Sequence, residues 1–245
     1  MNRSPCLDKI DPSCKKSTPP RADYPRYSSD GSSYSDLINY DIKVPGEHTI
    51  KGEKFDAEIQ MLHMHPHDPR VSSIGILVRA KEDGFNADFQ EILDLFQTVY
   101  DEHALECSRR NLKQEQESYS PPSQRRVQSV NRFNPYRYSL MPTMFFYRYD
   151  GSITEPPCKD ITWWVMELPM IISLEQLNQV KRILFTHVDE DCNPTSVHNA
   201  DQSVARPIYP RDGGEIQDCS EGSFKADEEK GNGIARKCSD RFFRL

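Results

Sequence analysis

The sequence predicts a mainly β fold of the α+β class, and three observations carry that reading. Residues 40–65, YDIKVPGEHTIKGEKFDAEIQMLHMH, contain two stretches with the period-2 alternation of strands. VSSIGILVRA, residues 71–80, is an apolar run of strand length and composition. Helical spacing of apolar residues marks two segments, Asn86–Cys107 and the stretch after Ser173.

Taken in order, residues 1–38 are rich in Pro, Ser, Asp and Tyr without sustained periodicity and read as irregular or extended chain. The first strand is Tyr40 to Val44, followed by a short polar connection from Pro45 to Lys54. The second strand runs antiparallel to the first, from about Phe55 to His65. Alternate side chains of a strand point to one face, so Asp41 and Lys43 share a face, as do Glu58, Gln60 and Leu62. Val71 to Ala80 is a third strand, central in the sheet. In the first helix Phe89, Ile92, Leu93, Phe96, Val99 and Tyr100 form the apolar face. Residues 108–130 carry Arg109, Arg110, Lys113, Arg125 and Arg126 around Ser-Pro-Pro, which reads as a solvated loop or, more sharply, a basic docking patch. Ser173 caps the second helix, with Leu174, Leu177, Val180, Ile183 and Leu184 facing inward.

The bulk composition narrows the function. A net charge of −7 argues against non-specific nucleic-acid binding as the main task. No apolar run reaches the roughly 18 residues that a membrane span needs. MNRSPCLDKIDPSC at the start lacks the apolar core of a secretory signal. A hydrophobic content of 36% and a mean hydropathy of −0.75 imply that part of the chain is exposed loop. Cys6, Cys14, Cys107, Cys158, Cys192, Cys219 and Cys238 are scattered with no Cys-x-x-Cys. That usage favours one to three disulfides plus an odd thiol, in a secreted or organelle-lumen setting.

Several segments together resemble the α-class carbonic anhydrases. Gly46-Glu47-His48-Thr49 is similar to the family's Ser-Glu-His-Thr connection, and Ala57-Glu58-Ile59-Gln60-Met61-Leu62-His63 to its Ala-Glu-x-His-x-x-His strand. NRFNPYRYSLMP, FFYRYDGSITEPPC, ITWWVMELP and VARPIYP resemble further family segments. The resemblance covers about residues 40–210. It implies a twisted, mostly antiparallel central sheet flanked by a few helices, with an α-carbonic-anhydrase-like domain at 39–210 and a polar tail at 211–245. Family members carry more sheet before the first ligand strand, so the resemblance also implies an N-terminally incomplete or rebuilt chain.

Carried over residue by residue, the resemblance puts the family's three zinc-ligand positions on Asp41, Lys43 and Gln60, none of them histidine. Thr154 falls at the threonine that accepts a hydrogen bond from metal-bound water, and Glu47 at the glutamate that orients it. Glu58 falls where a carboxylate orients a ligand histidine, and Trp163 at the pocket tryptophan, with Leu62 alongside. In the family the zinc lowers the pKa of bound water to roughly 7, and the hydroxide attacks CO2. A carboxylate, an ammonium and an amide do not replace three imidazoles. Asp41 and Lys43 are expected instead to pair and take over the space of the metal. The expectation is a zinc-free relative with no cofactor and little or no CO2 hydration, acting as a binding or scaffold module for an unknown protein partner. The alternative is an active carbonic anhydrase, on CO2 and bicarbonate, with a non-standard metal site. A relocated imidazole set must draw on His48, His63, His65, His67, His103, His187 or His198. Of these, His63, His65 and His67 alternate on the face opposite Gln60, with His63 buried and the other two at the surface. Cys158 lies where secreted relatives pair a cysteine with one near the N-terminus, here Cys6 or Cys14.

Overall fold

The structure is a computed structural model that describes residues 21–23, 34–65, 71–113, 134–207, 215–220, 225–226 and 236–237. Its elements in chain order are β1 (Arg21–Asp23), β2 (Tyr34–Lys43), β3 (Ala57–Met64), β4 (Val71–Lys81), α1 (Ala87–Lys113), β5 (Phe146–Ser152), β6 (Asp160–Met166), β7 (Met170–Ser173), α2 (Leu174–Thr186), β8 (Gln217–Cys219), β9 (Lys225–Ala226) and β10 (Arg236–Lys237). The chain divides into two compact units. One comprises Met1–Arg79, Met141–Met170 and Ala205–Leu245, the other Ala80–Leu140 and Ile171–Val204.

In the first unit the strands run in the order β1-β2-β3-β4-β6-β5-β8. Neighbours are antiparallel except β4 and β6, which are parallel, so the sheet is mixed but mostly antiparallel, as expected. β4 lies between β3 and β6, the central place its apolar run predicts. Directly opposed residues share a face. Asn39 opposes Leu62, Asp41 opposes Gln60 and Lys43 opposes Glu58. That row continues through Ser73, Gly75 and Leu77 on β4, then to Trp163 and Val165 on β6 and Tyr149 on β5. The opposite face buries Ile59, Met61 and His63 from β3 with Ile74, Ile76 and Val78 from β4. On the first face Phe55, Leu77, Ile161, Trp163 and Val165 make a small apolar cluster, with Leu62, Tyr149 and Ile153 against it.

Strand structure extends beyond the expected limits. β2 starts at Tyr34 rather than Tyr40, because a bulge between Leu37 and Asn39 lets its first residues pair with Met64 and His63 in a second register. β1 and the start of β2 therefore occupy part of the segment expected to be irregular, residues 1–38. At the other end β8 joins the sheet beside β5, within the expected tail at 211–245. β3 is slightly shorter than the alternation suggested, ending at Met64.

In the second unit, α1 continues past Cys107 to Lys113, through Arg109 and Arg110. An ion pair between Arg110 and Glu106, four residues apart, supports that extra turn. Residues 114–130, with the rest of the basic stretch, lie outside the described residues. Asn86 caps α1, its side-chain oxygen accepting from Phe89 N at 3.0 Å. Ser173 caps α2 in a reciprocal capping box with Gln176, as its sequence predicts. Leu177, Val180 and Ile183 are buried, but Leu174 is 41% exposed. Gln176 is buried in its stead, because its amide bonds the backbone N and O of Asn86 at 3.0 and 2.7 Å.

Cys107 and Cys192 form a disulfide across 85 residues of sequence. Cys158 is a free, exposed thiol, which overturns the bridge expected between it and Cys6 or Cys14. It sits at φ 55° in the loop between β5 and β6, with its side chain toward solvent. Cys6 and Cys14 lie outside the described residues. Cys219 is also disulfide-bonded. Among the described residues no helix is long and apolar enough to cross a membrane.

Candidate functional site

A small cleft of about 60 Å³, room for a few waters, opens on the polar face of the first unit's sheet. Strand register places its floor: Asn39 and Asp41 come from β2, Gln60 and Leu62 from β3, Ser73 from β4, Ile161 and Trp163 from β6. Its wall is the loop after β5, with Ile153, Thr154 and Glu155. Backbone bonds hold that loop, Ile153 N donating to Lys159 O and Cys158 N to Glu155 O, both at 2.9 Å.

Behind the cleft lies a closed polar network centred on Glu58, which is fully buried. Its Oε2 accepts from the backbone N of Glu47 at 2.9 Å and of His48 at 2.8 Å. Its Oε1 accepts from His48 Nδ1 at 2.6 Å and Gln60 Nε2 at 3.1 Å. Gln60 Nε2 donates again, to Glu47 Oε2 at 2.8 Å. Thr154 Oγ1 donates to Gln60 Oε1 at 3.4 Å. Gly75 leaves room for this carboxylate: a Cβ there would stand a tight 3.1 Å from Glu58 Oε1.

The charges bias one another. Burial pushes the Glu58 carboxyl up, but the charge and hydrogen bonds of His48, with Gln60, outweigh it and hold it below its usual value. Burial pulls the His48 imidazole down, but Glu58 and Glu47 outweigh that and raise it. The two groups thus favour each other's charged forms within an enclosed hydrogen-bonded pair. Burial raises the Asp41 carboxyl, against the pull of Lys43.

The structure brings together nearly all of the residues singled out in the sequence. Asp41, Gln60, Leu62, Thr154 and Trp163 line the cleft, and Glu47 and Glu58 stand behind it. Two expectations are corrected. Lys43 does not pair with Asp41; its Nζ lies 3.1 Å from Glu155 Oε1, and Asp41 instead accepts from Asn39 Nδ2 at 2.8 Å. Asp41 is taken up by its neighbour on the other side along β2, and Glu155 on the facing loop reaches Lys43. His65 is buried rather than at the surface, while His63 is buried as expected and opposite to Gln60. His67 lies outside the described residues. His103 and His187 meet each other in the second unit at 3.0 Å, and His198 is exposed. Among the described residues, no three His, Cys, Asp or Glu side chains gather as a group able to hold a metal ion.

Three partners went unassigned in the sequence. His48 lies inside the quoted Gly46–Thr49 motif, yet only the fold shows its Nε2 at 2.5 Å from Tyr149 Oη. Arg206 lies inside VARPIYP and gives its backbone N to Glu47 Oε1 at 2.9 Å. Glu155 lies inside SITEPPC, with no local signal of its ion pair.

The family model described as eukaryotic-type carbonic anhydrase matches residues 41–219. Dioscorin DB3L of Dioscorea polystachya is 26% identical over 190 residues, covering 75% of this chain and 56% of its own length. Carbonic anhydrase 12 of Homo sapiens is 29% identical over 164 residues, covering 62% of this chain and 40% of its own length. The chain thus spans about half the length of the curated relatives it matches. The solved α-carbonic anhydrase of Photobacterium profundum is 18% identical with a TM-score of 0.51, over 77% of this chain and 67% of that one, a likeness of fold.

Proposed function

This chain belongs to the eukaryotic-type carbonic anhydrase family, and from that premise we propose that it is a zinc-free binding module with little or no CO2 hydration activity. One observation carries the reading. The amide of Gln60, at a family ligand position, spends both N–H groups on Glu47 and Glu58 and turns its oxygen to Thr154. A zinc ion wants neutral nitrogen or anionic ligands with free lone pairs. Gln60 has only a weak oxygen donor to offer, and the Lys43 ammonium has no lone pair. The donor set does not fit the metal, so no catalytic step is drawn through one. The pocket residues carried over from the family, Thr154, Glu47, Glu58, Leu62 and Trp163, serve here as a self-satisfied scaffold around a small cleft. Its partner is a ligand or protein that reads that cleft.

A second reading, turnover at a non-standard metal site, draws on Thr154 and Glu47, which keep the family's residue types beside Gln60. Elemental analysis of purified protein together with a sulfonamide-sensitive CO2 hydration assay separates the two. The expected result is zinc far below one per chain and no inhibitable turnover. Stoichiometric zinc with sulfonamide-blocked hydration overturns the proposal.

A further inference from the structure

We propose that the cleft beside Asp41 binds a small primary ammonium on a short aliphatic stem. This rests on the zinc-free reading, since a divalent ion in the same space would repel such a ligand.

Most polar hydrogens around the cleft are already committed. Gln60 has given both of its amide hydrogens to Glu47 and Glu58. The Thr154 hydroxyl points its hydrogen at Gln60 Oε1, and the Ser73 hydroxyl points its own at Met61 O at 3.2 Å. Trp163 Nε1 is bonded to Ser152 O at 3.0 Å. Asn39 has spent one amide hydrogen on Asp41 Oδ2. What the cleft still offers is acceptors: Asp41 Oδ1 and the lone pairs of Thr154 and Ser73. Among the described residues, the bond from Asn39 is the only hydrogen bond that the Asp41 carboxylate accepts.

A ligand made of acceptors, such as bicarbonate or a carboxylate, would therefore meet one amide hydrogen and a negative charge. A ligand made of donors meets the opposite. An ammonium carries three N–H groups and no acceptor, the complement of what is left. Its charge faces Asp41, while the neighbouring Lys43 is engaged by Glu155 and the Arg206 guanidinium is bonded to Ile153 O at 3.3 Å. Leu62, Ile153, Ile161 and Trp163 supply apolar wall for a stem. The volume of about 60 Å³ limits that stem to a few carbons. Glu155, also on the lining, has an exposed side chain.

The test is titration of the full chain with methylammonium chloride, tetramethylammonium chloride and sodium bicarbonate at equal ionic strength. Calorimetry and tryptophan emission are the readouts, since Trp163 lines the cleft. Saturable one-to-one binding of methylammonium is expected. Tetramethylammonium has the charge but no N–H and should bind at least about tenfold more weakly, as should methylammonium to Asp41→Asn. Should that variant not fold, Thr154→Val removes an acceptor from the facing wall and should weaken binding severalfold. Equal affinity for the two cations, binding indifferent to both substitutions, or saturation by bicarbonate alone overturns the proposal. Zinc content of the same sample keeps the two readings apart. Zinc-free protein that ignores methylammonium overturns only this one, and stoichiometric zinc overturns both.

Discussion

Replacing Glu58 by glutamine perturbs the network behind the cleft at its centre. Both carboxylate oxygens are fully buried, and four donors converge on them: two backbone N–H groups, His48 Nδ1 and Gln60 Nε2. A glutamine side chain must turn its NH2 toward one of those donor pairs, leaving donors opposed and His48 without its counter-charge. Removing one partner of a buried ion pair typically costs about 3–5 kcal/mol. For a chain of this length that corresponds to a drop in Tm of about 6–20 °C. The pH dependence carries the sharper signature. Glu58 is held below its ordinary 4.5, so its contribution is present above about pH 4.5 and disappears as pH falls through the folded value. His48 is raised above its ordinary 6.5, so its contribution is full below about pH 6.5 and fades as pH rises through the folded value. The stability gap between wild type and Glu58→Gln, read by urea unfolding with tryptophan emission, should be widest between about pH 4.5 and 6.5. A gap under about 1 kcal/mol, or one that grows steadily toward high pH, would refute the ion-pair assignment.

Three further outcomes follow from the same geometry. His63 is buried and depressed to about 4, so the folded chain resists a proton that the unfolded chain accepts near 6.5. Wild type should lose roughly 3 kcal/mol between those two pH values that His63→Gln retains, and parallel acid-unfolding curves would contradict this. Gly75→Ala places a methyl against the pinned Glu58 carboxylate and should cost about 1–3 kcal/mol in urea unfolding; a neutral result would mean that the carboxylate can move. Replacing Cys107 and Cys192 together by serine removes a cross-link spanning 85 residues and should lower stability by about 2–4 kcal/mol in urea unfolding; an unchanged midpoint would contradict this.

The parts of the site that were legible in the sequence share one property: they depend on strand periodicity. Asp41 and Lys43 share a face, and so do Glu58, Gln60 and Leu62, because side chains alternate along any strand. The two faces then opposed each other in register, as Asp41 against Gln60 shows. The carry-over from family segments found Thr154 and Trp163, which also reach the cleft. What was misread depends on partners distant in sequence. Lys43 could be matched with Asp41 only because Glu155, 112 residues away, carries no local mark of its approach. Arg206 reaches Glu47 across 159 residues. The pairing of Cys107 with Cys192 cannot be chosen among seven cysteines by spacing. His65 reads as surface beside a proline, yet it is buried.

The sequence by itself determined the class of the fold and the grouping of Asp41, Lys43, Glu58 and Gln60 on one face of the two strands. Those follow from residue identity and a two-residue repeat, which no packing can alter. Only the tertiary structure decided where each hydrogen goes: that Gln60 is spent on two carboxylates, that Lys43 answers Glu155, and that the cleft is left with acceptors. Hydrogen-bond partners are fixed by proximity in space. In this molecule proximity is set by loops and strands that meet only after the sheet has formed.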